Sequence, residues 1–140
     1  MESKRLQPGR KPQCYNFLRK VMGFTRLHFT VSHPVELDRS EEVELLVDTG
    51  ALNSVVPREI LERLRIPRQF QRVFRLANGQ TIERYVGVAF FRWNGYMSGA
   101  PVVFAEPGDE PLLGVTALEA MGLQIDPTTR SLKPTDSLLL

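Results

Sequence analysis

The stretch Val43-Glu44-Leu45-Leu46-Val47-Asp48-Thr49-Gly50-Ala51 decides how the rest of the chain is read. A mostly apolar run with β character passes without a break into a carboxylate, a hydroxyl and a glycine. Val43 to Val47 is expected to form a strand that aims Asp48 out of its end. Gly50 admits a sharp turn and the close approach of a second backbone, and on that ground Asp48 is expected to be displayed rather than buried. Before this segment, Phe24, Arg26, His28 and Thr30 alternate with Thr25, Leu27, Phe29 and Val31, the period-2 pattern of a half-buried strand with Leu27, Phe29 and Val31 inward. A polar connection, Ser32 to Ser40, joins the two.

After it, Pro57 to Leu64 is expected to be a short helix, with Pro57 at its first position and Ile60, Leu61 and Leu64 on one face, ended by Pro67. Val73 to Leu76, the turn Ala77-Asn78-Gly79-Gln80, and Thr81 onward read as a β-hairpin with a type I′ turn at Asn-Gly. Further strands are expected at Val86 to Trp93 and at Pro101 to Ala105. Thr116-Ala117-Leu118-Glu119 matches a capping box opening a helix that ends at Gly122. Leu123 to Asp126 and Arg130 to Leu132 make a final hairpin around Pro127.

The chain has 140 residues and a mass of 15.9 kDa, enough for one domain with a hydrophobic core and too little for two. Hydrophobic residues at 42% and charged residues at 24% exclude disordered, fibrous and membrane-spanning classes. No apolar run approaches the roughly 18 to 20 residues of a membrane span, and the start lacks a secretion signal, so a cytoplasmic location without a membrane partner is expected. The single cysteine, Cys14, has no partner with disulfide or ligand spacing, and neither a metal nor another cofactor is expected.

Charge is unevenly spread. Lys4, Arg5, Arg10, Lys11, Arg19 and Lys20 against Glu2 give +5 over residues 1–21, leaving 2 minus 5, or −3, for the remainder. With Pro8, Gly9 and Pro12 as breakers, residues 1–21 are expected to be a flexible basic arm, 22–134 the domain and 135–140 a frayed tail; translation starting at Met22 would omit the arm. Because the basic excess sits in that arm, no nucleic-acid partner is expected. His28 and His33 stand without a nucleophile or a second ligand and read as surface or strand residues, while Trp93, Tyr96 and Phe104 read as packing. Glu59 and Arg63 at i,i+4 are expected to pair on a solvated helix face, for about 0.3 kcal/mol. Glu106 to Glu110 reads as an acidic loop without calcium-ligand spacing.

Three features recur in a fixed order: the apolar strand into Asp48-Thr49-Gly50-Ala51, a turn-tipped hairpin, and Leu112-Leu113 before Gly114 and a helix. In order and residue type they resemble the retropepsin-like aspartic peptidases, most closely single-domain bacterial and archaeal members, from Met22 to about Pro134. The resemblance implies an all-β fold, a closed acid-protease-type β-barrel with one or two short helices. It also implies a homodimeric aspartic endopeptidase acting on peptides or unfolded protein segments. Carried over residue by residue, Asp48, Thr49 and Gly50 form the catalytic loop, with Thr49 bonding across the dimer axis. Leu46, Ala51, Val55 and Leu112, with Ala77, Asn78 and Gly79 at the tip of a flap, bind substrate. Leu113 and Gly114 are structural, Gly114 letting its strand pass beneath the loop.

Of the aspartates Asp38, Asp48, Asp109, Asp126 and Asp136, only Asp48 stands before Thr-Gly, so the second carboxylate of such a site has to come from a second chain. The flap is less glycine-rich than retroviral ones and lacks the tyrosine of pepsin-like ones. Leu52 and Val115 occupy the positions of an acidic residue and an arginine that pair in retroviral enzymes, and an apolar contact is expected in their place. The alternative reading is a dimeric module using the same cleft to bind a peptide or partner with little or no turnover. A third is a self-processing subunit that trims its own basic arm. The intact Asp48-Thr49-Gly50 favours the enzyme.

Overall fold

Strands form where apolar and polar residues alternate or where short apolar runs meet turn residues. In the computed structural model, which describes residues 25–136, these are β1 (Thr25–Ser32), β2 (Ser40–Val47), β3 (Ser54–Pro57), β4 (Phe70–Arg75), β5 (Thr81–Trp93), β6 (Tyr96–Ala105), β7 (Leu112–Leu113), β8 (Leu123–Asp126) and β9 (Ser131–Pro134). Two short helices, α1 (Arg58–Arg63) and α2 (Val115–Ala120), complete the described part. The expected arm lies outside the described residues, as does the tail beyond Asp136. Among the described residues no helix is long and apolar enough to cross a membrane.

The main sheet runs β1-β2-β7-β3-β6-β5-β4, and β1 pairs a second time with β5, which brings the far part of the sheet back against its first strand. β8 and β9 form a separate hairpin. The core is built from one face of these strands: Phe29, Val31, Leu45, Val47, Val56 and Phe91 are fully buried there, with Leu27 partly buried beside them. The mostly-strand fold with two short helices agrees with the expected class.

Local details differ from expectation for physical reasons. Pro57 is not the first helical residue of α1; it closes β3, with φ −51° and ψ 133°, and stands at the N-cap without a side-chain bond. The capping box does not form. Gly114 is the N-cap of α2 and Thr116 lies inside the helix, because the first helical amides are taken by main-chain carbonyls. Glu59 and Arg63 do not pair: Arg63 reaches across to Glu41 at 2.5 Å, and Arg58 lies 3.8 Å from Glu59 and 2.6 Å from Glu106.

The Asn78-Gly79 turn is not type I′ either. Leu76 N–H bonds Gln80 C=O at 2.7 Å and Gly79 N–H bonds Leu76 C=O at 2.9 Å, closing a three-residue loop in which Gly79 (φ 89°), but not Asn78, has a positive φ. The Asn78 side chain accepts from Gln80 N–H at 2.9 Å and holds that form. The two-residue turn with positive φ at both positions is Asn94 (49°) and Gly95 (87°), between the paired residues Trp93 and Tyr96. The strands expected from Thr81 and from Val86 are therefore one strand, β5, and the one expected from Pro101 begins at Tyr96.

Candidate active site

Asp48 follows β2 directly, and its loop is fixed from below. β2 and β7 run parallel with Leu46 opposite Leu112 and Val47 opposite Leu113, and Asp48 N–H extends the ladder to Leu113 C=O at 3.0 Å. Ala51 N–H then closes a turn on Asp48 C=O at 3.1 Å, and Gly50 N–H donates to Asp48 Oδ1 at 2.9 Å. A Cβ on Gly50 would stand 3.2 Å from that oxygen. This folding-back corrects the expectation of a displayed carboxylate: Asp48 is 9% exposed within one chain, while Thr49 and Gly50 are exposed.

The loop is also joined to the start of α2. Val115 N–H bonds Ala51 C=O at 2.8 Å and Thr116 N–H bonds Leu52 C=O at 3.2 Å, so loop carbonyls satisfy helix amides that have no partner inside the helix. Gly114 N–H donates to the buried Ser54 Oγ at 2.9 Å. Gly114 passes so close beneath the loop that a Cβ would meet Asn53 C at 2.6 Å, Asn53 O at 2.7 Å and Leu52 O at 2.8 Å. The same bonds bring the main chains of Leu52 and Val115 alongside each other, but the Leu52 side chain remains 65% exposed.

Leu46, Val55 and Leu112 meet in one row. Leu112 is the register partner of Leu46 on one side and of Val55 on the other. The row continues through Val103 opposite Val55, Val86 opposite Val103, and Phe70 opposite Val86. Paired residues stand on one face of a sheet, so these six share a face opposite the core set Val47, Val56 and Leu113. Asp48 lies two residues beyond Leu46 on the same strand line. Ala77, Asn78 and Gly79, in contrast, are at the exposed tip of the β4–β5 hairpin.

An acidic loop precedes β7 and is held by arginines from three elements. Arg26 of β1 bonds Glu110 at 2.7 Å, Arg58 of α1 bonds Glu106 at 2.6 Å, and Arg84 of β5 bonds both oxygens of Asp109 at 2.7 and 3.0 Å. The hydrogen bond to Asp109 pushes the Arg84 guanidinium up from its usual value, with burial opposing. Ser54, Val86, Val103 and the Arg84–Asp109 pair are parts of this region that sequence reasoning did not single out. A lone serine opening Ser54-Val55-Val56 was the one available signal; the others depend on register. His33, as expected of a surface residue, has a structural part, its Nδ1 accepting from the amides of Val35 and Glu36.

Residues 33–117 match the aspartyl protease family. Among solved structures, the chain is similar to EIAV protease complexed with the inhibitor HBY-793, with a TM-score of 0.53 and 18% identity over 74% of this chain and 92% of that one. Simian foamy virus (mac) protease (TM-score 0.47, 21% identity, 68% and 92% covered) and a retropepsin-like aspartic protease from Rickettsia conorii (0.48, 18%, 74% and 76%) also match. Among curated proteins, none matches. With its family match spanning the Asp48 loop, the hairpin and β7, and a fold similar to that of EIAV protease, the chain belongs to the aspartyl protease family.

Proposed function

We propose that the chain is an aspartic endopeptidase that works as a homodimer, hydrolysing peptide bonds with a water activated between the Asp48 carboxylates of two chains. The observation that carries this reading is the Asp48 loop: one carboxylate at the end of a buried strand, oriented by Gly50 N–H and fastened to β7 and α2. The chain's other aspartates have other places. Asp109 is taken by Arg84, Asp126 accepts from Thr128 N–H in a turn, and Asp38 and Asp136 are exposed. A twofold axis beside Asp48 supplies the second carboxyl group.

Two carboxyl groups about 3 Å apart share one proton, because like charges that close do not both ionise readily. The ionised member takes a proton from the water as its oxygen attacks the scissile carbonyl carbon, and the protonated member donates to the carbonyl oxygen. Collapse of the tetrahedral intermediate breaks the C–N bond and delivers a proton to the leaving nitrogen. The pair titrates as a unit. In this reading Thr49 bonds across the axis, and Leu46, Val55 and Leu112 favour apolar side chains beside the cleaved bond. The β4–β5 hairpin with Ala77, Asn78 and Gly79 closes over an extended peptide.

The test is digestion of a peptide mixture across a pH series, with and without a statine-type inhibitor, comparing wild type with Asp48→Asn. The variant is expected to lose activity by about 10³-fold or more while remaining dimeric by sedimentation. The wild-type rate is expected to be bell-shaped with its maximum below neutral pH. Cleavage surviving in Asp48→Asn, an active monomer, or a rate that climbs steadily into the alkaline range would each refute the mechanism.

A further inference from the structure

Arg72 stands on β4 directly opposite Arg84 of β5. Both lie two residues toward the hairpin tip from Phe70 and Val86, the pair that starts the row running to Leu46. Side chains two residues apart on a strand share a face, so both guanidinium groups project from the face that carries Val55 and Leu112. The direction agrees with where Arg84 ends, on Asp109 in the loop that leads into β7.

Like charges directly opposite on a sheet repel, and Asp109 relieves only one of the two. Both its oxygens are bonded by Arg84, and Oδ2 also accepts Glu106 N–H at 2.9 Å. The other carboxylates of the loop are engaged as well, Glu106 by Arg58 and Glu110 by Arg26. Arg72 has no ion pair among the described residues; its guanidinium lies over the Phe70 ring, 5.7 Å from the centroid. β4 is the last strand in the sheet order, so Arg72 is exposed at the margin of the face, reachable by a chain laid across it.

We propose that Arg72 is a specificity-determining residue that receives an acidic side chain of the peptide substrate, away from the cleaved bond, which sits at Asp48. The inference rests on the peptidase reading and adds a charge to its otherwise apolar cleft. A substrate carboxylate at Arg72 forms a charge-assisted, two-pronged pair, offsets the repulsion between Arg72 and Arg84, and meets a guanidinium already oriented by Phe70. Glutamine has nearly the same shape without the charge, so the contrast between the two isolates the interaction.

The experiment uses labelled extended peptides with an apolar pair at the centre and Glu, Gln or Lys placed in turn at each flanking position. Affinity is measured on the Asp48→Asn chain, so that it does not depend on turnover, and kcat/KM on the chain with Asp48 intact. At one position Glu is expected to be preferred over Gln by about tenfold in both readouts, and less so at high salt. Arg72→Ala is expected to abolish the preference, Arg72→Lys to keep the charge without the two-pronged geometry and so retain only part of it, and Arg72→Glu to turn it toward the Lys peptide. That reversal cannot come from a misfolded chain. No position with a Glu preference, or a preference that survives Arg72→Ala, would overturn the inference while cleavage itself left the peptidase reading standing. Arg72-dependent binding without any cleavage would support the inference and sink the peptidase reading.

Discussion

Gly114→Ala tests whether the Asp48 loop is held by close packing against α2. Gly114 has φ −87° and ψ 172°, a conformation open to any residue, so alanine brings no backbone strain of its own. Its Cβ would instead stand 2.6 to 2.8 Å from Asn53 C, Asn53 O and Leu52 O. These are main-chain atoms, and making room means lifting residues 52–53 away from the start of α2. Overpacking of this kind costs about 1 to 3 kcal/mol. The displacement also threatens the bonds from Val115 N–H to Ala51, from Thr116 N–H to Leu52 and from Gly114 N–H to Ser54, each about 1 kcal/mol. With one of them lost, the total is about 2 to 4 kcal/mol, well above the roughly 0.4 to 1 kcal/mol that Gly→Ala gains by restricting the unfolded chain. For a urea slope of about 1.5 kcal/mol/M the unfolding midpoint falls by about 1 to 2 M, at one fixed chain concentration because association contributes to stability. Peptide cleavage falls at the same time, since the loop that moves carries Asp48. A midpoint equal to or above wild type would refute the close-packing argument.

Ser54→Ala removes the acceptor for a buried amide and is expected to lower stability by about 1 to 3 kcal/mol, measured by the same titration; Ser54→Thr, which keeps the hydroxyl, is expected to lose less. Arg65 follows α1 with φ 59°, a conformation that costs side-chain-bearing residues about 1 kcal/mol. Arg65→Gly is therefore expected to stabilise the chain by about 0.5 to 1 kcal/mol, seen as an unfolding temperature higher by about 3 to 5 °C.

How much of this was legible depended on whether the signal was local. The strand into Asp48 announces itself by an apolar run meeting Asp-Thr-Gly, and Gly114 by its place after Leu112-Leu113. The expected contributors Leu46, Val55 and Leu112 could be named, but not their meeting in one row, because that follows from β7 pairing in parallel with β2 and antiparallel with β3. The capping box failed for a related reason. Thr116 and Glu119 are correctly spaced, yet the carbonyls of residues 51 and 52, more than sixty residues earlier, accept from the amides of Val115 and Thr116, and the helix starts one residue before Thr116, with Gly114 as its N-cap. The two Asn-Gly pairs make the same point locally. Asn94-Gly95 closes two residues between paired strands, whereas Asn78-Gly79 shares its loop with Ala77, so the same dipeptide takes two forms according to the register of its flanks. Asp48 is 9% exposed rather than displayed, and Gly50, the residue expected to display it, instead turns its amide back onto the carboxylate.

The contrast in support between the loop and the hairpin bears on how the hairpin would close in the flap role proposed for it. The Asp48 loop is bonded to β7 and α2 on two sides, and a displacement there breaks several hydrogen bonds together. Among the described residues, the hairpin formed by β4 and the first half of β5 has pairing on one side only: β4 pairs with no strand but β5 and leaves Phe70 and Val73 about half exposed, at 48% and 58%. Two-stranded hairpins without a packed face are marginally stable in water. Freedom to bend thus comes from missing packing rather than from glycine at the tip, and the Arg84–Asp109 pair marks where that freedom ends, because it fastens β5 to the loop before β7. A peptide laid along the row from Leu46 to Phe70 would supply the missing face, so closure and substrate binding would be one event, with Arg72 at the point where the hairpin leaves the body of the sheet.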